Sequence, residues 1–283
     1  MLLHEHLENG ADKNPNFPFS EFEGNSLSYQ EADLLSNQLA NKLVSEGLEV
    51  GDRFAFLAKN CTEMAIMYYA ASKVGAVPVP LNYRLADQEW AYIINDSEAK
   101  LIIVKGNEYS DRINKISSEL KNIKKYISIS LDNSIEKFHD FYDWLSDSSN
   151  EKPTLKIQEN DDVYQMYTSG TTGHPKGAVL LQRNVAANIR QYLNSLTLPR
   201  PSRTLLVAPM YHAAAMINMC GCIAIGGTIV IQEDFIPQDV VDCLANEKIT
   251  HTVLVPAMIQ ACLVSVPNVA SNEYNDLAQI HYG

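Results

Sequence analysis

The sequence predicts an α/β protein: two mostly parallel sheets flanked by helices. Three observations carry that expectation. Short apolar runs rich in β-branched and aromatic residues alternate with segments of helical period. The alternation resumes after a polar, aperiodic stretch at 146–162. A loop rich in glycine and hydroxyl side chains directly follows one of the apolar runs, where ligands of α/β sheets usually bind.

The first clear element begins at Ser28-Tyr29-Gln30-Glu31, where Ser28 and Glu31 form a capping box that satisfies the open amides of a helix start. Leu35, Leu39 and Leu43 recur every fourth residue on one face, and Gly47 supplies a stop. RFAFLA at 53–58 reads as a strand. Asn60 and Glu63 open a second helix ending near Gly75, and VPVPL at 77–81 is extended again. LIIV at 101–104 and YISIS at 126–130 are further strands, each followed by a helical pattern. The polar stretch from Ser146 to Asp162 reads as a surface connection between two α/β lobes, 1–155 and 156–283.

The second lobe repeats the alternation. Strands are expected at 163–168, 203–208, 227–232 and 251–255, and helices at 182–197, near 213–224 and near 237–247. A short strand is expected at the final residues, 279–283. No repeat at solenoid spacing and no low-complexity tract interrupts the pattern.

Composition narrows the function. Apolar residues make up 46% of the 283 and charged residues 20%, an ordinary globular balance. The net charge of −12 opposes nonspecific binding to nucleic acid or anionic membranes, although it leaves room for a local phosphate site. The cysteines (Cys61, Cys220, Cys222, Cys243, Cys262) are odd in number and sit in apolar stretches, which suits buried thiols in a reducing compartment better than disulfides or zinc. MLLHEHLENG lacks the basic start and longer apolar core of a secretory leader, and no apolar stretch is long enough to span a bilayer. A cytoplasmic location is expected.

The chemistry concentrates at 167–180, Tyr-Thr-Ser-Gly-Thr-Thr-Gly-His-Pro-Lys-Gly-Ala-Val-Leu. Four hydroxyls (Thr168, Ser169, Thr171, Thr172) stand among three glycines (Gly170, Gly173, Gly177), with Lys176 close behind. Glycines let backbone amides approach an anion, hydroxyls add donors, and a lysine supplies charge. A Walker-type phosphate loop does not fit, because Pro175 falls where its second glycine belongs and Lys176 is followed by Gly177. The competing reading is a Ser/Thr/Gly-rich surface turn with one lysine.

YTSGTTGHPKGAVL resembles the phosphate-loop signature of the AMP-binding, adenylate-forming superfamily, acyl-CoA synthetase (acid:CoA ligase) branch. Other segments are similar to that family's landmarks in the same order: Leu27-Ser28-Tyr29, Lys73-Val74-Gly75-Ala76-Val77, Pro80-Leu81-Asn82-Tyr83-Arg84 and Ala208-Pro209-Met210-Tyr211-His212. The chain departs from the pattern twice. Leu181-Gln182-Arg183-Asn184 replaces a frequent Ser-His pair, and Ala213-Ala214-Ala215 follows His212 where glycines are common.

The resemblance implies the N-terminal portion of the adenylate-forming fold and ATP-dependent activation of a carboxylic acid to an acyl-adenylate. Thioester formation with CoA follows, and a fatty or similar apolar acid is expected. It implies that Thr168, Ser169, Gly170, Thr171, Thr172, Gly173 and Lys176 hold the phosphates of ATP, that Thr171 ligates Mg²⁺, and that Lys176 and His212 serve the reacting groups. Tyr211, Met216, Val255 and Met258 are candidates for the acyl pocket, whereas His174 and His251 have no comparable support and His174 is expected to face solvent. Gly283 corresponds to the start of the adenine-binding loop. The chain is therefore expected to be truncated and inactive alone, lacking the C-terminal lid. A non-catalytic nucleotide- or phosphate-binding fragment is the alternative. An exposed edge strand would favour self-association, so a homo-oligomer is among the expected partners.

Overall fold

In the computed structural model, residues 1–129, 135, 137–168, 173–195 and 198–282 are described. Helix α1 (Leu3–Lys13) leads into a hairpin of β1 (Pro18–Phe22) and β2 (Asn25–Ser28). Helix α2 (Tyr29–Ser45) starts as the capping box requires. Ser28 Oγ accepts from the Glu31 amide at 3.2 Å, and Glu31 Oε2 accepts from the Ser28 amide at 2.8 Å. Strand β3 (Arg53–Leu57), helix α3 (Thr62–Val74) and strand β4 (Val77–Pro80) follow. Gly75 ends α3 at φ +71, a left-handed turn that glycine adopts without a Cβ penalty. Next come α4 (Asp87–Asp96), β5 (Leu101–Lys105), α5 (Asn107–Ile116), β6 (Lys125–Ile129), β7 (Phe138–Asp140) and α6 (Phe141–Leu145).

Beyond the connection lie β8 (Asp162–Thr168), β9 (Lys176–Leu181) and α7 (Gln182–Ser195). The chain continues through β10 (Arg203–Leu206), α8 (Ala213–Ala224), β11 (Thr228–Ile231), α9 (Pro237–Asn246), β12 (His251–Val253), α10 (Pro256–Ser265) and β13 (Gln279–His281). Among the described residues no helix is long and apolar enough to cross a membrane.

The expected α/β class holds. One sheet, ordered β4-β3-β5-β6-β7, is parallel throughout. The other, β13-β12-β10-β11-β1-β2, is parallel except where β1 meets β2. Strands β8 and β9 form a separate antiparallel pair, and β9 was not expected from the sequence. Sheet membership crosses the boundary expected at 155/156, because β1 pairs with β11, Ser20 opposite Ile229.

The period of two along each strand divides the interior. Phe54 and Phe56 of β3 enter a central core with α2, α3 and α8, while Ala55 and Leu57 face an outer core with Trp90 of α4 and Ile113 of α5. In β10, Leu206 faces the central core and Leu205 a third cluster under α9. Helices α2, α3 and α8 thus lie between two sheets, which explains why nearly every residue of α3 is buried. All five cysteines are buried and unpaired, and burial pushes the Cys220 and Cys222 thiols up to about 12.

The bidentate pair between Arg203 of β10 and Glu21 of β1 spans the six-stranded sheet at 2.9 and 2.8 Å. The Arg203 hydrogen bonds hold the Glu21 carboxyl below its ordinary value of 4.5. A depressed carboxylate contributes stability above the unfolded value and loses it as pH falls through the folded one. Urea unfolding at neutral pH and at about pH 4 should show a smaller acid loss in Glu21→Gln than in the parent. Equal losses would remove this pair from the acid response.

Candidate functional site

The carboxyl ends of both sheets meet, and one buried asparagine makes much of the junction. Asn60, just past β3, donates from Nδ2 to the carbonyls of Ala208 and Gln232, both at 3.1 Å, and its Oδ1 accepts from the Met210 amide at 2.8 Å. The sequence reading gave Asn60 to the start of a helix. Cys61 takes the N-cap position instead, and the Asn60 side chain crosses to the other sheet. Tyr68 adds a hydrogen bond from its hydroxyl to the Met210 carbonyl at 3.2 Å. The segment after β10 is thereby held by two side chains that follow β3 in the chain.

Tyr211 and His212 come next on that segment. His212 is exposed at the N-cap of α8, and its ring lies 4.4 Å from the ring of Tyr211. Tyr211 meets Tyr83 edge-on at 5.5 Å, and the Arg84 guanidinium lies 5.4 Å from the Tyr83 ring. Partial burial, assisted by the Arg84 charge, lowers the His212 pKa from its ordinary 6.5 and so disfavours the imidazolium. Lys59 closes the same edge: it pairs with Asp234 at 2.5 Å and Glu233 at 3.6 Å. The Asp234 hydrogen bond raises the Lys59 pKa to about 12.

The phosphate-loop segment leaves β8 and returns on β9. Thr168 and Lys176 stand opposite each other as the last paired residues of the hairpin, and both are exposed. The Lys176 side chain has no hydrogen bond or ion pair with any described residue. Gly173 sits at φ +149, which side-chain-bearing residues rarely adopt. Gly177 is needed for space, since a Cβ there would run into the Gln165 amide and the Tyr167 ring. Ser169, Gly170, Thr171, Thr172 and Gly283 lie outside the described residues.

Two expected groups therefore form: Thr168 with Lys176, and Tyr211 with His212. Among the described residues no hydrogen bond or ring contact joins one group to the other. The four pocket candidates divide between clusters, Tyr211 and Met216 in the central core and Met258 against the cluster under α9, with Val255 exposed. His251 is fully buried in β12, and burial takes its pKa down to about 4. Gln182, at the family departure, is also fully buried. It accepts from the Leu3 amide at 3.1 Å and donates to Ser72 at 2.8 Å, tying α1 and α3 to α7. Sequence reasoning missed Asn60 as a cross-sheet tie and the Lys59–Asp234 pair. Neither has a local signal.

Two mostly parallel sheets that meet at their carboxyl ends, where ligands of α/β proteins usually bind, define an α/β protein. The chain belongs to the AMP-binding enzyme family, whose pattern matches residues 7–282. It is 30% identical over 234 residues to the long-chain-fatty-acid–CoA ligase FadD13 of Mycobacterium tuberculosis, covering 82% of this chain and 45% of that one. It is also 30% identical over 239 residues to a feruloyl-CoA synthase of an Amycolatopsis species, covering 84% and 45%. The inhibitor-bound N-terminal domain of FACL13 from M. tuberculosis superposes with a TM-score of 0.91 at 26% identity, covering all of this chain and 69% of that domain. The chain spans about half the length of the curated relatives it matches.

Proposed function

We propose that this chain provides the phosphate-binding and acid-positioning part of an AMP-forming acid:CoA ligase. The observation that carries the reading is the β8–β9 hairpin, which sets exposed Thr168 opposite exposed Lys176 at the two ends of the glycine- and hydroxyl-rich segment. A carboxylate is a poor acyl donor, because its leaving group would be oxide. Attack of the acid on the α-phosphate of ATP releases pyrophosphate and gives an acyl-adenylate, from which the CoA thiol displaces AMP. Negative charge accumulates on the departing pyrophosphate, where Lys176 and the loop donors oppose it.

Mg²⁺ would add charge at the same phosphates, with the Thr171 hydroxyl as its protein ligand. The described residues contain no group of three or more histidines, cysteines or carboxylates able to hold a metal. His212, neutral and beside Tyr211, would orient the carboxylate as a donor. A fatty or similar apolar acid is the favoured substrate class, supported by the likeness to a long-chain-fatty-acid–CoA ligase.

The activities of the relatives belong to chains about twice as long, so the 283 residues alone are proposed to bind nucleotide without turning over. Acid-dependent ATP–pyrophosphate exchange, run on this chain with short, medium, long and aromatic acids, is the test. Exchange with one class would identify the acid and overturn the claim of inactivity. Absence of both exchange and ATP binding, measured calorimetrically, would sink the phosphate-loop assignment as well.

A further inference from the structure

The two limbs of the hairpin do not stand free; both are fastened to one helix, α4. On the outgoing limb, the Tyr167 hydroxyl donates to Asp96 Oδ2 at 2.6 Å. It accepts from Gln165 Nε2 at 3.1 Å, and Gln165 Oε1 in turn accepts from Arg53 Nε at 3.2 Å. On the return limb, the His174 ring stacks on Tyr92, centroids 4.6 Å apart and planes 18° from parallel, and the Tyr92 hydroxyl donates to the Pro175 carbonyl at 3.4 Å. His174 is exposed, as the sequence suggested, but one face of its ring is covered.

Tyr92 and Asp96 are four residues apart on α4, so they lie one above the other on a single helix face. The opposite side of α4 is anchored by Trp90, Ile93 and Ile94 in the outer core, and Trp90 Nε1 donates to the Asn82 carbonyl at 2.8 Å. A rigid helix therefore grips both strands of the hairpin just where the loop departs and returns.

We propose that this face of α4 is a brace for the phosphate loop, with Tyr92, Asp96 and His174 as positioning residues that hold Thr168 and Lys176 at a fixed separation. None of the three has to touch nucleotide. The brace restricts fraying of the hairpin end, so that Thr168 and Lys176 are placed before the anion arrives and less ordering is required on binding. Gly177 belongs to the same device. Its missing side chain is what lets the Gln165–Tyr167 pair pass under the return limb toward Asp96. The proposal rests on the phosphate-loop reading for its purpose but not for its geometry.

Amide hydrogen exchange on the 283-residue chain separates the two. An aromatic stack of this kind is worth enough that its loss in Tyr92→Ala or His174→Ala should speed exchange across 173–181 by about threefold to tenfold. In His174→Ala, exchange in β5 and the thermal midpoint should stay unchanged; Tyr92 also packs against the outer core, so its alanine variant is judged by the excess of acceleration at 173–181 over that in β5. Tyr92→Phe, which keeps the stack, should restore most of the protection. Exchange within about twofold of the parent in both alanine variants would overturn the brace. So would acceleration spread equally to β5, the mark of general destabilisation. ATP binding by the unaltered chain is read separately: its failure counts against the phosphate loop, while the exchange result still decides the brace.

Discussion

Lys176→Ala should weaken ATP binding by about tenfold to a hundredfold while leaving the unfolding transition where it was. A hydrogen bond from a charged donor contributes about 1.5–3 kcal/mol, and each 1.4 kcal/mol is a factor of ten. Lys176 opens β9 with its ammonium exposed and without a partner among the described residues. Removing it orphans nothing among the described residues, so the stability change should stay within about 0.5 kcal/mol. The background makes the effect larger rather than smaller. The chain carries −12, and a polyphosphate approaching it is repelled everywhere except where a cation stands. Lys176→Arg keeps the charge on a different donor geometry and should recover only part of the affinity. Titration calorimetry with ATP gives the answer, and unchanged affinity in Lys176→Ala would refute the account of phosphate stabilisation.

Signals that live within a few residues were readable without coordinates. The capping box at Ser28 and Glu31, the left-handed stop at Gly75 and the apolar runs of β3, β5 and β10 each encode their own geometry. The family was readable for the same reason, because YTSGTTGHPKGAVL carries its resemblance within one short segment. What escaped was long-range. Nothing in PFSEF announces that β1 will pair in parallel with β11 more than two hundred residues later. KGAVLL was passed over as the tail of the loop, although its pairing with β8 is what sets Lys176 opposite Thr168. Helix α1 shows only a narrow apolar stripe, Leu3 and Leu7, and its place is fixed by hydrogen bonds to Ser72 and Gln182 that no periodicity reveals. The ties that shape the candidate site, Asn60 to Met210 and Tyr92 to His174, join residues about 80 or more positions apart.

The segment Lys73-Val74-Gly75 resembled a family landmark in sequence, and its physical content is a buried charge. Lys73 Nζ lies 2.5 Å from Asp33 Oδ1, 2.6 Å from Asn37 Oδ1 and 3.6 Å from Glu8 Oε1, with its side chain 2% exposed. These partners come from α2 and α1, so a single ammonium on α3 joins three helices of the central core. Replacing two charges by apolar groups of similar shape can be nearly neutral, but removing one leaves the other desolvated and unpaired. Lys73→Met should therefore cost about 3–5 kcal/mol. For a chain this long that lowers the thermal midpoint by roughly 10 °C. The carboxylates are unequal: Glu8 retains a second cation, Lys152 at 2.7 Å, whereas Lys73 is the only ion-pair partner of Asp33 among the described residues. Adding Asp33→Leu to Lys73→Met should then recover part of the loss, since it removes the orphaned charge. Denaturant unfolding of the single and double variants measures both. A loss below about 1 kcal/mol in Lys73→Met would mean that water reaches this cluster and screens it as it does a surface pair.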